Sequence, residues 1–245
     1  MVSVNCFFNS NTSWEKRSEA DLSPGTVDVW NIEVVNNAEL INNFYRLLDV
    51  KELDRLNRYY RENDRHRFII SRGFLKILLG KYLNQKPENL RFSEGFNKKP
   101  FVLTDENENL KYNVSHSGSQ VVIAISKNEV GIDIEKIDRS FLYDDVLNTA
   151  FNEEEKKFVT ESAQPVESFY LLWTRKEALL KATGKGITDN LQLVPSLNGG
   201  HRISDEIVGN GFNSTVESFM IDKIYVSTVV YFSFDKTINY FKPGN

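Results

Sequence analysis

Residues 121–135 read VVIAISKNEVGIDIE, and this stretch decides the class of fold. Val121–Ser126 and Val130–Ile134 are rich in β-branched residues, and a short polar turn separates them, so they predict two consecutive strands. Helical patterns lie on both sides of this stretch, one from Ala38 to about Leu83 and one from about Val166 to Thr183. The sequence therefore predicts a mixed α+β fold.

Composition excludes several classes of protein for this chain of 245 residues, which is long enough for one large domain or two small ones. One cysteine and three histidines exclude an intramolecular disulfide and a zinc site built from Cys and His. The net charge of −4 argues against a general nucleic-acid-binding protein. No apolar run approaches the ~20 residues that cross a bilayer, and the N-terminus lacks the pattern of a signal peptide. We therefore expect a cytoplasmic protein that binds neither nucleic acid nor membrane.

The order of predicted elements divides the chain into three parts. Residues 1–26 are rich in Asn and Ser and predict a loose N-terminal extension, while residues 27–128 and 129–245 each contain helices followed by strands. Arg72–Leu75 and Lys176–Leu179 occupy matching places in the two long helical patterns. Two explanations of this match are open: amphipathic helices can resemble each other by chance, or the chain contains a true internal repeat. A repeat would place a functional site at the interface of two similar α/β halves.

Two carboxylates lie at the end of the predicted strand Val130–Ile134, one within it and one directly after it. Alternate side chains of a strand share a face, so Asp133 and Glu135 point the same way. Such a pair is either a solvated acidic face or half of a site for a hard cation such as Mg²⁺, which prefers oxygen ligands. Glu177 and Lys181 lie four residues apart in a helical segment and share its face. They form either a surface ion pair or a third metal ligand next to a phosphate-binding ammonium.

Two further segments are suited to anions. Ser115 and His116 lie in Asn113–Gly118, which predicts a glycine-containing loop before a strand, and there they are either structural or phosphate-binding. Residues 51–72 carry seven Lys or Arg against four Asp or Glu, a net charge of +3 in a chain that is acidic as a whole. This basic segment is either a solvated helix face or a phosphate-binding patch. Lys98 and Lys99 add two cations in a later loop.

The order of these motifs is more specific than any one of them. It resembles the order found in the surfactin-synthetase-type class of 4′-phosphopantetheinyl transferases, from about Val27 to beyond Gly186. The motifs that carry the resemblance are Arg58-Tyr59-Tyr60 with His66-Arg67, Lys99-Pro100, Asn113–Ser117, Gly131–Glu135, Phe151 with Glu155, and Trp173–Gly186. The resemblance implies a pseudo-dimer of two similar α/β halves with the active site at their interface. Residues 27–128 would bind coenzyme A, and residues 129–245 would bind Mg²⁺ and dock the carrier protein.

The resemblance also implies an activity. The chain would be a transferase of the holo-acyl-carrier-protein synthase type, which uses coenzyme A and Mg²⁺ to modify a serine of an apo carrier protein. The carrier would belong to fatty-acid, polyketide or nonribosomal-peptide synthesis, and adenosine 3′,5′-bisphosphate would be the second product. An Mg²⁺-dependent nucleotide pyrophosphate hydrolase and a non-catalytic carrier-binding module are the alternatives. Because one chain would hold both halves of the site, we expect a monomer.

The implied site residues fall into three groups. The metal ligands would be Asp133, Glu135 and Glu177. The catalytic residues would be Asp133, Glu177 and Lys181, with Lys181 in contact with the pyrophosphate. Either Glu177 itself or a metal-bound water that it orients would accept the serine proton. The coenzyme A ligands would be Lys181, Ser115 and His116 at the phosphates, with Arg55, Arg67 and Lys99 around the 3′-phosphate and adenine.

The sequence departs from the family pattern at one position. A lysine that the family often has three residues before the place of Arg55 falls at Glu52 here. We expect the adjacent Lys51 to substitute for it by a small shift in register.

Overall fold

The computed structural model describes residues 1–23, 25–104, 109–186, 190–208, 213–232 and 237–244. In this part of the chain the strands are β1 (Val2–Phe8), β2 (Glu15–Arg17), β3 (Thr26–Glu33), β4 (Phe92–Glu94), β5 (Pro100–Val102), β6 (Lys111–Ser117), β7 (Gln120–Ser126), β8 (Val130–Lys136), β9 (Gly199–Ile203), β10 (Ser214–Ile221), β11 (Tyr225–Tyr231) and β12 (Thr237–Pro243). The α-helices are α1 (Ile41–Tyr45), α2 (Val50–Leu56), α3 (Glu62–Tyr82), α4 (Asp144–Ala150), α5 (Glu153–Thr160), α6 (Pro165–Thr183) and α7 (Asp205–Val208). Short 3₁₀ helices occur at Val35–Leu40, Pro87–Asn89, Phe96–Lys98 and Leu191–Leu193.

Two large sheets form the centre of the molecule. Their strand orders are β2-β12-β3-β7-β6 and β8-β11-β10-β1-β9, and β4 pairs with β5 separately. Side chains alternate along β3: Trp30 and Ile32 pack under α3, whereas Val27 and Val29 pack against the second sheet. Helix α6 covers the outer face of that second sheet through residues such as Leu179. The layers are therefore helix, sheet, sheet and helix, and the predicted α+β fold is confirmed.

The internal repeat is present in the structure. In the first half, β3 is followed by α3 and then by the hairpin β6–β7, and β7 pairs antiparallel with β3. In the second half, β8 is followed by α6 and then by the hairpin β10–β11, and β11 pairs antiparallel with β8. The matching segments Arg72–Leu75 and Lys176–Leu179 lie in the corresponding helices α3 and α6. The two similar halves expected from the sequence are therefore confirmed.

The ends of the chain cross between the halves, so residues 1–26 are not a loose extension. Strand β1 pairs parallel with β10 and antiparallel with β9, and Val2, Val4 and Cys6 are buried. The last strand, β12, returns to pair with β3 in the first sheet. Alternation of Val2, Val4 and Cys6 with polar residues was the signal for β1, and the Asn- and Ser-rich composition of the segment obscured it. The division at residues 128 and 129 stays a prediction.

The turn after β7 carries the chain from one sheet to the other. Strands β7 and β8 are consecutive, as predicted, but they belong to different sheets and do not pair with each other. Strand β8 lies beside β6 instead, where the backbone N–H of Ile132 donates to Oδ1 of Asn113 at 2.9 Å. Among the described residues, no helix is long and apolar enough to span a membrane.

Candidate active site at the interface of the halves

A cleft opens where β6, β8 and the helices α3 and α6 approach one another. It consists of two adjoining cavities of about 410 Å³ and about 350 Å³, which share Val114, His116, Glu177 and Lys181. The smaller cavity also contains Ser115, Asp133 and Glu135, and the larger one also contains Arg55 and Lys99. Every site residue predicted from the sequence except Arg67 therefore lines this cleft.

The helix that carries Glu177 and Lys181 lies directly against β8. At Gly131 a Cβ atom would lie 2.1 Å from the carbonyl oxygen of Ala178 and 2.4 Å from the backbone nitrogen of Ala182. Only glycine allows a strand and a helix to approach this closely. The first residue of the Gly131–Glu135 motif therefore determines how near Glu177 and Lys181 come to Asp133.

Hydrogen bonds connect the side chains of Lys181, Ser115 and Asp133. The Lys181 ammonium donates to Oδ1 of Asp133 at 2.6 Å and to the Ser115 hydroxyl at 3.0 Å. The Ser115 hydroxyl in turn donates to the same Asp133 oxygen at 2.8 Å. Ser115 can reach this oxygen because Asn113–Ser117, expected as a loop, continues strand β6 alongside β8. The structure thus joins residues that are separated by up to 66 positions in the sequence.

Two carboxylate oxygens in this group have no donor. Within the described part of the chain, Oδ2 of Asp133 and Oε1 of Glu177 are buried and lack a hydrogen-bond partner. Burial, followed by the neighbouring Asp133 carboxylate, raises the pKa of Glu177, and Lys181 opposes this shift. An unpaired buried carboxylate is costly, and oxygen ligands of this kind suit Mg²⁺. The donor set therefore fits a divalent cation.

The three carboxylates are not already gathered into a metal cluster. Across the described residues, no group of three or more Asp, Glu, His or Cys side chains is arranged to hold a metal ion. The contacts explain this, because Lys181 occupies one oxygen of Asp133 and Ser117 donates to Oε2 of Glu135 at 2.9 Å. The charge of Asp133 also acts on both Glu135 and Glu177, and neighbouring like charges repel each other when no cation lies between them.

Glu135 carries the clearest sign of this repulsion. Burial, followed by the charge of Asp133, raises the pKa of Glu135 to about 7, while the Ser117 hydroxyl acts in the opposite direction. The folded state therefore binds a proton at Glu135 more tightly than the unfolded chain does. Folding stability falls as the pH rises from about 4.5 to about 7, and the full cost is present above that range.

We expect Glu135→Gln to stabilise the metal-free protein at alkaline pH. The neutral amide removes a cost of about 1 kcal/mol after allowance for partial exposure, which is about 2–4 °C in the melting temperature. Thermal unfolding in chelator at pH 8 measures this gain, and at pH 4.5 the two proteins should melt together. Equal melting temperatures at pH 8 would contradict the assigned repulsion.

The predicted phosphate ligands differ in how they are held. Arg55 lines the larger cavity with its guanidinium 5.4 Å from the centre of the Phe68 ring. Arg67 donates to the carbonyl of Gly118 at 3.0 Å and is paired with Asp64. Desolvation, followed by the charge of Arg67, lowers the pKa of His116, which favours the neutral imidazole at pH 7. Arg67 therefore lies near enough to His116 to affect its pKa, but it is not among the residues that line the two cavities.

Glu52, which stands where the family often has lysine, has a structural role. It accepts from Arg72 at 2.5 Å and from Lys76 at 2.6 Å, and it closes the capping box of α2 with Asp49. Arg72 lines the larger cavity, while Lys51 is exposed. Beside Glu52, Arg72 rather than Lys51 therefore contributes to the cavity wall, together with Arg55, Lys99 and Lys181. The sequence placed Arg72 within the basic segment but did not distinguish it from its neighbours.

Two other motif residues form a buried ion pair. The Lys176 ammonium lies 2.8 Å from Oε2 of Glu155, and the two side chains are 0% and 1% exposed. Lys176 also donates to the carbonyls of Leu191 and Val194. Glu155 and Lys176 therefore hold α5 and the segment after α6 in place and do not face the cleft.

Comparison with known proteins agrees with this architecture. Residues 129–220 match the family model described as the 4′-phosphopantetheinyl transferase superfamily, and residues 36–128 match the one described as 4′-phosphopantetheinyl transferase, N-terminal. Together the two matches span both halves of the fold. The chain belongs to the 4′-phosphopantetheinyl transferase family.

Individual relatives support the same assignment. The protein slr0495 of Synechocystis sp. is 36% identical over 163 residues, which are 65% of this chain and 66% of the relative. The 4′-phosphopantetheinyl transferase gsp of Aneurinibacillus migulanus is 33% identical over 71% of this chain and 61% of its own length. The 4′-phosphopantetheinyl transferase HetI of Nostoc sp. is 31% identical over 66% of this chain and 70% of its own length. The chain thus covers slightly less than two thirds of the first two relatives.

Proposed function

We propose that the chain transfers the phosphopantetheine arm of coenzyme A to a serine hydroxyl of an apo carrier protein. The observation that carries this proposal is a pair of buried oxygens, on Asp133 and Glu177, that have no hydrogen-bond partner among the described residues. They lie beside Lys181 at the junction of two cavities. Such a junction suits a pyrophosphate, with the nucleotide in the larger cavity and the pantetheine and serine at the smaller one. Family membership supports the same reaction.

The reaction exchanges one phosphate–oxygen bond for another. The serine oxygen forms a bond with the β-phosphorus of coenzyme A, and the bond from that phosphorus to the bridging oxygen breaks. The bridging oxygen leaves with the bonding electrons as part of adenosine 3′,5′-bisphosphate, and the serine proton passes to a base. Catalysis of this kind depends mainly on positioning and charge neutralisation.

Glu177 is the proposed base, and Lys181 is the proposed cation for the pyrophosphate. The raised pKa of Glu177 makes its carboxylate a better proton acceptor near neutral pH. Lys181 is 31% exposed at its side chain, so it can turn from Asp133 to a substrate phosphate. Asp133 holds the ammonium close to the reacting atoms.

We also propose that Asp133, Glu135 and Glu177 hold Mg²⁺. When bound, the ion would neutralise charge on the pyrophosphate oxygens. The three side chains line one cavity. Among the described residues, one oxygen of Asp133 and one of Glu177 have no hydrogen-bond partner. A monomer in the cytoplasm stays a prediction from the sequence, and the cleft built from both halves of one chain favours the monomer.

His116→Ala is expected to weaken coenzyme A binding by about tenfold, the usual effect of losing a hydrogen bond to a charged group. His116 lines both cavities, so it lies at the junction proposed for the pyrophosphate. Calorimetric titration with coenzyme A measures the change. His201→Ala is the control, because His201 lies on β9 and bonds to the carbonyl of Leu197. Unchanged affinity in the His116 variant would assign that residue a structural role.

Mass spectrometry of an apo carrier protein tests the proposed function. After incubation with the chain, coenzyme A and Mg²⁺, the carrier should gain one phosphopantetheine arm, and chelator should prevent the gain. Cleavage of coenzyme A with an unmodified carrier would instead indicate a pyrophosphate hydrolase. Binding of the carrier without any cleavage would indicate a non-catalytic module.

A further inference from the structure

Lys99 lines the cleft, but its ammonium group is bonded to residues that do not line the two cavities of the cleft. The group donates to Oε2 of Glu129 at 2.7 Å, to the carbonyl of Ala182 at 2.8 Å and to the carbonyl of Val130 at 3.3 Å. A lysine has three N–H donors, so these partners use all of them. The side chain is 18% exposed, and burial lowers the pKa of Lys99 while Glu129 opposes the shift.

The partners of Lys99 belong to the two elements that carry the reacting groups. Ala182 lies in the last turn of α6, where backbone carbonyls lack partners within the helix and carry partial negative charge. Val130 is the first residue of β8. Lys181 directly precedes Ala182, and Asp133 follows Val130 on the same strand. Lys99 therefore connects the end of α6 to the beginning of β8, just beside the contact between Lys181 and Asp133.

We propose that Lys99 is a positioning residue of the transfer site and not a ligand of the coenzyme A phosphates. It fixes α6 against β8 so that Lys181 and Asp133 keep their 2.6 Å contact. This inference rests on the proposed transferase function. It departs from the role around the 3′-phosphate that the sequence resemblance implied for Lys99.

The energetics favour this role. A phosphate could contact the ammonium only if one of its three present bonds broke. The ammonium would then lose a backbone carbonyl or Glu129, and Glu129 would keep only its longer contact of 3.5 Å with Lys111. Arg55 and Arg72 line the same cavity and supply guanidinium groups suited to phosphate. The larger cavity therefore has cations for the nucleotide without Lys99.

The test compares two variants, Lys99→Met and Glu129→Gln, with the wild-type chain. Lys98→Met is the matched control, because Lys98 is the exposed neighbour of Lys99. Lys99→Met should lower kcat by about tenfold or more, because small displacements of reacting groups have large effects on rate. Its dissociation constant for coenzyme A, measured by calorimetry, should stay within about threefold of wild type. Glu129→Gln should lower kcat in the same direction without touching the ligand, and Lys98→Met should match wild type.

The outcomes separate the competing explanations. A loss of coenzyme A affinity at Lys99→Met with wild-type kcat overturns the proposal in favour of a phosphate ligand. A lowered melting temperature with wild-type kcat for the folded protein overturns it in favour of a purely structural role. Glu129→Gln keeps the Lys99 ammonium in place, so we expect this variant to fold. It therefore provides the test of positioning if Lys99→Met misfolds. The proposed function is tested separately by the reaction of the wild-type chain. If the wild-type chain leaves the carrier unmodified, the proposed function itself is contradicted.

Discussion

Asp133→Asn and Glu177→Gln are each expected to lower kcat by about 10²–10³-fold, the scale seen when one preorganised group that stabilises a transition state is removed. Each substitution keeps the shape of the side chain and removes one negative charge next to Lys181. Each also removes one of the two oxygens that lack a donor within the described residues. Transfer to an apo carrier, followed by mass spectrometry over a range of Mg²⁺ concentrations, measures the loss.

Two controls make this result specific to the cleft. Glu167→Gln alters a carboxylate in the first turn of α6, the helix that carries Glu177, and Glu167 is paired with Arg139. Asp138→Asn alters a carboxylate just beyond the end of β8. Neither lines the cleft, so both variants should retain wild-type turnover. The two cleft variants should remain folded, because removal of a like charge relieves repulsion. Wild-type turnover in either cleft variant at any Mg²⁺ concentration would refute the assigned metal site.

The sequence predicted the parts of the fold that depend on local periodicity. Strands β7 and β8 and the long helix α6 follow from β-branched runs and from apolar spacing, and α6 ends at Gly184, which adopts a left-handed φ of 69°. Helical spacing also placed Glu177 and Lys181 on one face. Strand pairing between distant segments was not predictable in this way. The local sequence patterns of β1 and β12 do not indicate that each strand joins the sheet of the opposite half.

The three lysines Lys99, Lys176 and Lys181 show why the site was only partly predictable. All three belong to motifs of the family resemblance, and residue type alone makes them equivalent. The structure separates them by their partners: Lys176 is buried against Glu155, Lys99 bonds to two carbonyls and Glu129, and Lys181 faces the cleft. Which lysine meets substrate is therefore a property of tertiary contacts. A motif contains both the residues that react and the residues that hold them.

Gly131→Ala tests how far the reaction depends on the contact between β8 and α6. The new methyl group would lie 2.1 Å from the carbonyl oxygen of Ala178, 2.4 Å from the nitrogen of Ala182 and 2.8 Å from its Cα. All three are backbone atoms, so no side chain can rotate away, and the helix itself has to move. Overpacking of this kind costs about 1–3 kcal/mol in the free energy of unfolding.

The same displacement separates Lys181 and Glu177 from Asp133, and a shift of about 1 Å at reacting groups lowers rates by about 10². We therefore expect Gly131→Ala to lose both stability and turnover, as measured by thermal unfolding and by carrier modification at a temperature where the variant is folded. Gly200→Ala is the matched control, because a Cβ there meets no atom within 4 Å. If Gly131→Ala kept full turnover while folded, the spacing of β8 and α6 would not set the geometry of Lys181. The glycine would then matter only for folding, and the dependence of kcat on Lys99 would lose its physical basis as well, since both residues act on the same contact.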